Sequence, residues 1–124
     1  MDQLVPKLMI VDDETSNLDL FRELFVDEED MTIECYSSGN EALDAFDNSV
    51  PDVMILDVMM PGKSGFEVCE EIKAKAKGSK TKVIIVTGMA GEEVEQKARE
   101  VGCDSFYLKP VDMMELYNEV MEAQ

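Results

Sequence analysis

Three short runs, Leu8-Met-Ile-Val11, Val53-Met-Ile-Leu56 and Val83-Ile-Ile-Val86, constrain the fold of this chain more than any other feature. Each is apolar without interruption, where a strand with one wet face would alternate polar and apolar residues. Runs of this kind suit strands covered on both faces, as in the centre of a parallel sheet. With their neighbours they give five strand candidates, Lys7–Val11, Met31–Tyr36, Val53–Asp57, Lys82–Val86 and Ser105–Leu108. Between and after them lie helical patterns at about Thr15–Glu28, Ser38–Asn48, Ser64–Ala76, Glu92–Val101 and Asp112–Ala123. The last places Met113, Leu116, Tyr117, Val120 and Met121 on one apolar stripe. Ser64 and Asp112 are expected N-caps, and Gly102 an expected helix stop. Five strand–helix units in 124 residues predict an α/β fold, a doubly wound parallel sheet with right-handed crossovers.

Composition narrows the function classes. The chain is long enough for one compact domain, residues 1–124, and its hydrophobic content of 45% is that of a globular protein. A net charge of −17 excludes nucleic acid as a partner of this domain, because binding a polyanion requires a basic surface. Anionic membrane surfaces are excluded on the same ground. Six of the eleven basic residues are Lys63, Lys73, Lys75, Lys77, Lys80 and Lys82, which read as a solvated helix end. Cys35, Cys69 and Cys103 are far apart, and the chain has no histidine; they are expected to be buried, reduced thiols. No secretory leader and no run of about 20 apolar residues is recognisable, so a cytoplasmic location is expected.

Ligands of open α/β sheets bind outside the carboxyl ends of the strands. The residues at those ends are Asp12 and Asp13, Asp57, Thr87 and Lys109. Carboxylates gathered at one edge repel unless a cation neutralises them, and an all-oxygen donor set favours magnesium or calcium. Asp13 and Glu14 taken alone would equally suit the first turn of a helix. Asp57 ends an otherwise apolar strand, Gly88 leaves space beside Thr87, and Lys109 could meet an anion.

Taken in order, Asp12-Asp13, Asp57-Val-Met-Met60-Pro61-Gly-Lys-Ser-Gly65, Thr87-Gly88 and Lys109-Pro110 resemble the receiver domain of response regulators, and the resemblance covers essentially the whole chain. It implies a flavodoxin-like (βα)5 fold with a five-stranded parallel sheet of order 2-1-3-4-5. It implies that Asp57 accepts a phosphoryl group from the phosphohistidine of a sensor histidine kinase or histidine phosphotransfer protein. Asp12, Asp13, Asp57 and the backbone carbonyl of Met59 would hold Mg2+. Thr87 and Lys109 would contact the phosphoryl oxygens, Thr87 and Phe106 would form the switch, and Lys109–Pro110 would be cis. Output is then expected through a downstream protein or effector domain, since the sequence given stops at Gln124.

Phe106 lacks the hydroxyl a tyrosine would bring, leaving only packing to the switch. Asp112, Glu115, Glu119 and Glu122 make the last helix acidic with no basic residue, so a monomer is expected in the unphosphorylated state. A phosphohydrolase with an aspartate nucleophile would carry a second acid two residues on, where Met59 stands. A receiver-like domain that had lost its chemistry would lack an acid, Thr or Lys, and none is lacking. The chain is therefore expected to modify only itself and not to be an enzyme in the ordinary sense.

Overall fold

A computed structural model describes residues 6–76 and 80–123; Lys77 lies outside them. Strands β1 (Lys7–Val11), β2 (Thr32–Tyr36), β3 (Val53–Asp57), β4 (Lys82–Thr87) and β5 (Ser105–Leu108) alternate with helices α1 (Thr15–Leu24), α2 (Gly39–Asn48), α3 (Gly65–Ala74), α4 (Glu92–Glu100) and α5 (Met113–Glu122). The strands form one sheet in the order β2-β1-β3-β4-β5, and every neighbouring pair is parallel.

The continuous apolar runs fold as expected because each strand feeds two cores. Met9, Val11, Met54, Leu56, Val83 and Ile85 face one side, with Ala42 and Phe46 of α2, Val68 and Ile72 of α3 and Ala98 of α4. Leu8, Ile10, Val53, Ile55, Ile84 and Val86 face the other, with Leu18 and Phe21 of α1 and Leu116 and Val120 of α5. Each such side chain, fully buried, contributes about 1.5–3 kcal/mol. That two-sided burial is what keeps polar residues to the ends of these strands, Lys7 and Lys82 at their starts and Asp57 and Thr87 at their finishes.

The helix ends follow local chemistry. Ser64 accepts from the Glu67 amide at 3.2 Å while the Glu67 carboxylate accepts from the Ser64 amide at 2.9 Å, a complete capping box. Asp112 accepts from the Glu115 amide at 3.1 Å. Gly102, at φ +88°, closes α4 by donating to Arg99, while Cys103 donates to Ala98, the paired bonds of a Schellman motif.

Helix α1 ends at Leu24, four residues before its expected limit at Glu28. Asp27-Glu28-Glu29-Asp30 would load four carboxylates onto the negative end of the helix dipole, and the chain turns instead at Phe25. Met31 falls outside β2 because its amide donates to the Glu28 carbonyl in that turn. Helix α3 stops at Ala74, two residues short of expectation, with Lys75 already in extended conformation.

Two side-chain expectations are corrected. Only Cys69 is buried; Cys35 and Cys103 are half-buried, all three as free thiols. The lysines are mostly committed to partners. Lys63 pairs with Glu71, Lys73 with Asp104 at 2.9 Å, Lys75 with Asp47 at 3.1 Å and Lys82 with Glu119 at 3.0 Å. The acids on neighbouring elements that receive them could not be matched to them from spacing alone.

Candidate functional site

β1 and β3 are hydrogen-bonded neighbours at the centre of the sheet, so the residues leaving their carboxyl ends emerge side by side. Asp12 follows β1 and Asp57 closes β3. With Asp13 they form a cluster in which one carboxylate oxygen from each residue lies within 4.8 Å of the others. Asp12 and Asp57 are 1% and 5% exposed, whereas Asp13 reaches solvent. Asp12 is held at both oxygens: Oδ1 accepts from the Glu14 amide at 3.0 Å, and Oδ2 lies 3.2 Å from Lys109 Nζ.

Lys109 comes from the end of β5. The Lys109 amide donates to the Thr87 carbonyl at 2.8 Å, and the peptide bond to Pro110 is cis. Its ammonium also lies 3.7 Å from Asp57 Oδ1, bridging the two buried acids. Three carboxylates thus face one ammonium. Burial above all, and then the Asp12 charge, push the Asp57 carboxyl up to about 6, with Lys109 and the Val58 amide pulling the other way. A divalent cation would relieve that excess of negative charge. The donor atoms are hard oxygens throughout, which fits magnesium better than a softer metal.

Thr87 is fully buried as the last residue of β4, and its hydroxyl oxygen accepts from the Met89 amide at 3.1 Å. Met59, 61% exposed, and Met89 line the same cleft as Asp13, Asp57 and Lys109. Phe106 does not enter the cleft. It is half-buried against the core on the α2–α3–α4 side of the sheet. The structure therefore brings Asp12, Asp13, Asp57, Met59, Thr87 and Lys109 to one edge, and sets Phe106 one layer behind.

Gly65 is a residue of this site to which sequence reasoning assigned no role. A Cβ there would fall 2.2 Å from the Asp57 carbonyl oxygen and 2.9 Å from Val58 Cα. Its amide donates to the Val58 carbonyl at 3.0 Å, so α3 begins in contact with the backbone of the central acid. Its place eight residues after Asp57, beyond Pro61 and Gly62, was the available signal.

Residues 8–121 match the response regulator receiver domain family. The regulatory protein VanR of Enterococcus faecium is 36% identical over 114 residues. That alignment takes in 92% of this chain and 48% of VanR, so the chain spans about half the length of that relative. Among solved structures, the chemotaxis protein CheY4 of Vibrio cholerae is similar with a TM-score of 0.88 and 25% identity, over 98% of this chain and 100% of that one. A CheY-like receiver domain protein from Methanospirillum hungatei is similar with a TM-score of 0.86 and 27% identity, over 96% and 93%.

Proposed function

Because this chain belongs to the receiver domains of two-component response regulators, we propose that it accepts a phosphoryl group on the carboxylate of Asp57. The observation that carries this is the recessed Asp57, clustered with Asp12 and Asp13 and met by Lys109 at 3.7 Å. An Asp57 oxygen attacks phosphorus, and the bond from phosphorus to the donor's imidazole nitrogen breaks. Phosphoryl transfer asks the protein chiefly for alignment and for charge to offset the anionic oxygens. Lys109 offsets one of them, and Thr87 donates its hydroxyl hydrogen to another. Asp12, Asp13, Asp57 and the Met59 carbonyl would hold magnesium, which supplies the remaining positive charge when bound. Turning Thr87 toward the phosphoryl group opens room that Phe106 can fill, a packing change that biases a two-state element.

The family is not one of conventional enzymes, and on this reading the chain acts only on itself. Its partners are a histidine kinase or histidine phosphotransfer protein upstream and a protein or effector domain downstream, in the cytoplasm. Among the described residues no helix is long and apolar enough to cross a membrane.

Incubation with acetyl phosphate and magnesium should add the mass of one phosphate to the chain. Asp57→Asn should add none, and Asp13→Ala should shift labelling to much higher magnesium concentrations. Unchanged labelling of Asp57→Asn would overturn the assignment of the acceptor.

A further inference from the structure

The opening residue of α2 packs against the segment that leads out of the acidic cleft. Ser38 caps α2 by accepting from the Glu41 amide at 3.2 Å, which sets Gly39 as the first helical residue. A Cβ on Gly39 would lie 2.6 Å from Val68 Cγ2, 3.1 Å from the Lys63 carbonyl oxygen and 3.2 Å from Lys63 Cβ. Neither neighbour yields readily. Val68 is fully buried on α3, and a β-branched side chain on a helix is confined almost to one rotamer. Lys63 is bound to Glu71 through its side chain and is followed at once by the Ser64 capping box.

Lys63 belongs to the segment 58–64, which joins Asp57 to α3 and carries Met59. The Gly65 amide closes this segment on the Val58 carbonyl, and the Gly65 Cα rests on the Asp57 carbonyl. Both ends are therefore anchored to the acceptor strand, while the flank at Lys63 is buttressed by α2 through Gly39.

We propose that Gly39 is a positioning residue for the metal-binding loop. Its missing side chain lets α2 seat segment 58–64 where the Met59 carbonyl joins the carboxylates of Asp12, Asp13 and Asp57 on one divalent cation. This rests on the reading of that cluster as a magnesium site, and Gly39 itself touches no ligand. Magnesium demands a near-ideal octahedron with bonds of about 2.0–2.1 Å, so a loop displaced by a few tenths of an ångström binds it worse. Supporting groups around a metal typically change affinity by roughly 10–100-fold when altered.

The test is a magnesium titration of the whole chain followed by amide NMR, on wild type, Val68→Ala and the double variant Gly39→Ala/Val68→Ala. Val68→Ala removes the nearest clash so that the double variant folds, yet the new methyl still presses on the Lys63 carbonyl. Val68→Ala should bind magnesium as wild type does. The double variant should show native chemical-shift dispersion and a dissociation constant roughly tenfold higher. Its labelling from acetyl phosphate should recover fully at saturating magnesium. A double variant with the constant of Val68→Ala would overturn the proposal. Equal weakening in Val68→Ala alone would also overturn it, because core packing would then be the cause. A wild type that binds no magnesium would overturn the metal site itself, and the role of Gly39 with it.

Discussion

Asp57 shows how the fold sets the state of one carboxyl group. It has little solvent, two acids beside it and one ammonium at 3.7 Å, and its carboxyl is pushed up from 3.8 to about 6. A raised carboxyl favours the folded state fully below the unfolded value, and that advantage is lost as pH rises through about 6. Removing the charge should therefore stabilise the metal-free protein at high pH only. In chelator, Asp57→Asn should be more stable than wild type by about 2–3 kcal/mol at pH 8, and the difference should vanish below about pH 4. Urea unfolding across that range measures it, and a gap independent of pH would mean that the buried charge is already compensated. Thr87 and Lys109 were legible in the sequence because apolar strands end on them. The close approach of Gly65 was signalled only by its spacing from Asp57, because a glycine's contacts leave no mark in composition.

At the scale of the elements, α4 and α5 are held very differently. Helix α4 buries only Ala98 along its length, and its N-cap, Gly91, offers no side-chain bond. Glu92, Glu93 and Glu95 at its start and Lys97 and Arg99 at its end suit the dipole, so α4 is a sound helix loosely docked. Its amides should exchange with solvent through cheaper openings than those of α3, which buries Val68, Cys69 and Ile72 behind a capping box. Native-state hydrogen exchange checks this, and equal protection of the two helices would contradict it. Helix α5 is locked. Glu119 pairs with Lys82 at 3.0 Å and accepts from the hydroxyls of Ser105 and Tyr107. Burial alone would raise the Glu119 carboxyl, but those three partners hold it below its usual value. A lowered carboxyl stabilises the fold above its unfolded value, and the gain is lost as pH falls. Glu119→Gln should cost about 1–2 kcal/mol at pH 7 and less near pH 3, read by thermal unfolding at both pH values. The strand positions and caps were plain in the sequence because burial and capping are local. This inward use of Glu119 was not, because it depends on which strands lie beside α5. The early end of α1 could have been read from its four consecutive acids.

For the whole molecule, the net charge of −17 sets the terms of association. Two copies approaching through α5 would bring Glu115 and Glu122 together without a basic residue on that helix to answer them. Exposed apolar residues such as Met114 and Leu108 pull the other way but are few. Sedimentation at moderate concentration should show a monomer without phosphoryl or its mimic beryllofluoride, and a tight dimer in both conditions would contradict it. The parallel order of all five strands sends their carboxyl ends to one edge, so the two cores and the chemistry occupy separate parts of the molecule.

The recess of Asp57 also sets a rule of shape. As the proposed acceptor, Asp57 is 5% exposed and opens into a cleft lined by Asp13, Met59 and Met89, so a donor must reach it through that cleft. Small acyl phosphates meet that requirement by size. A macromolecular donor can meet it only with a protruding surface, its reactive atom at the summit and the bulk of the partner falling away behind. A donor whose phosphorylated residue lay in a hollow would be halted at the rim whatever its chemistry, so contour as well as charge decides which proteins can serve this domain.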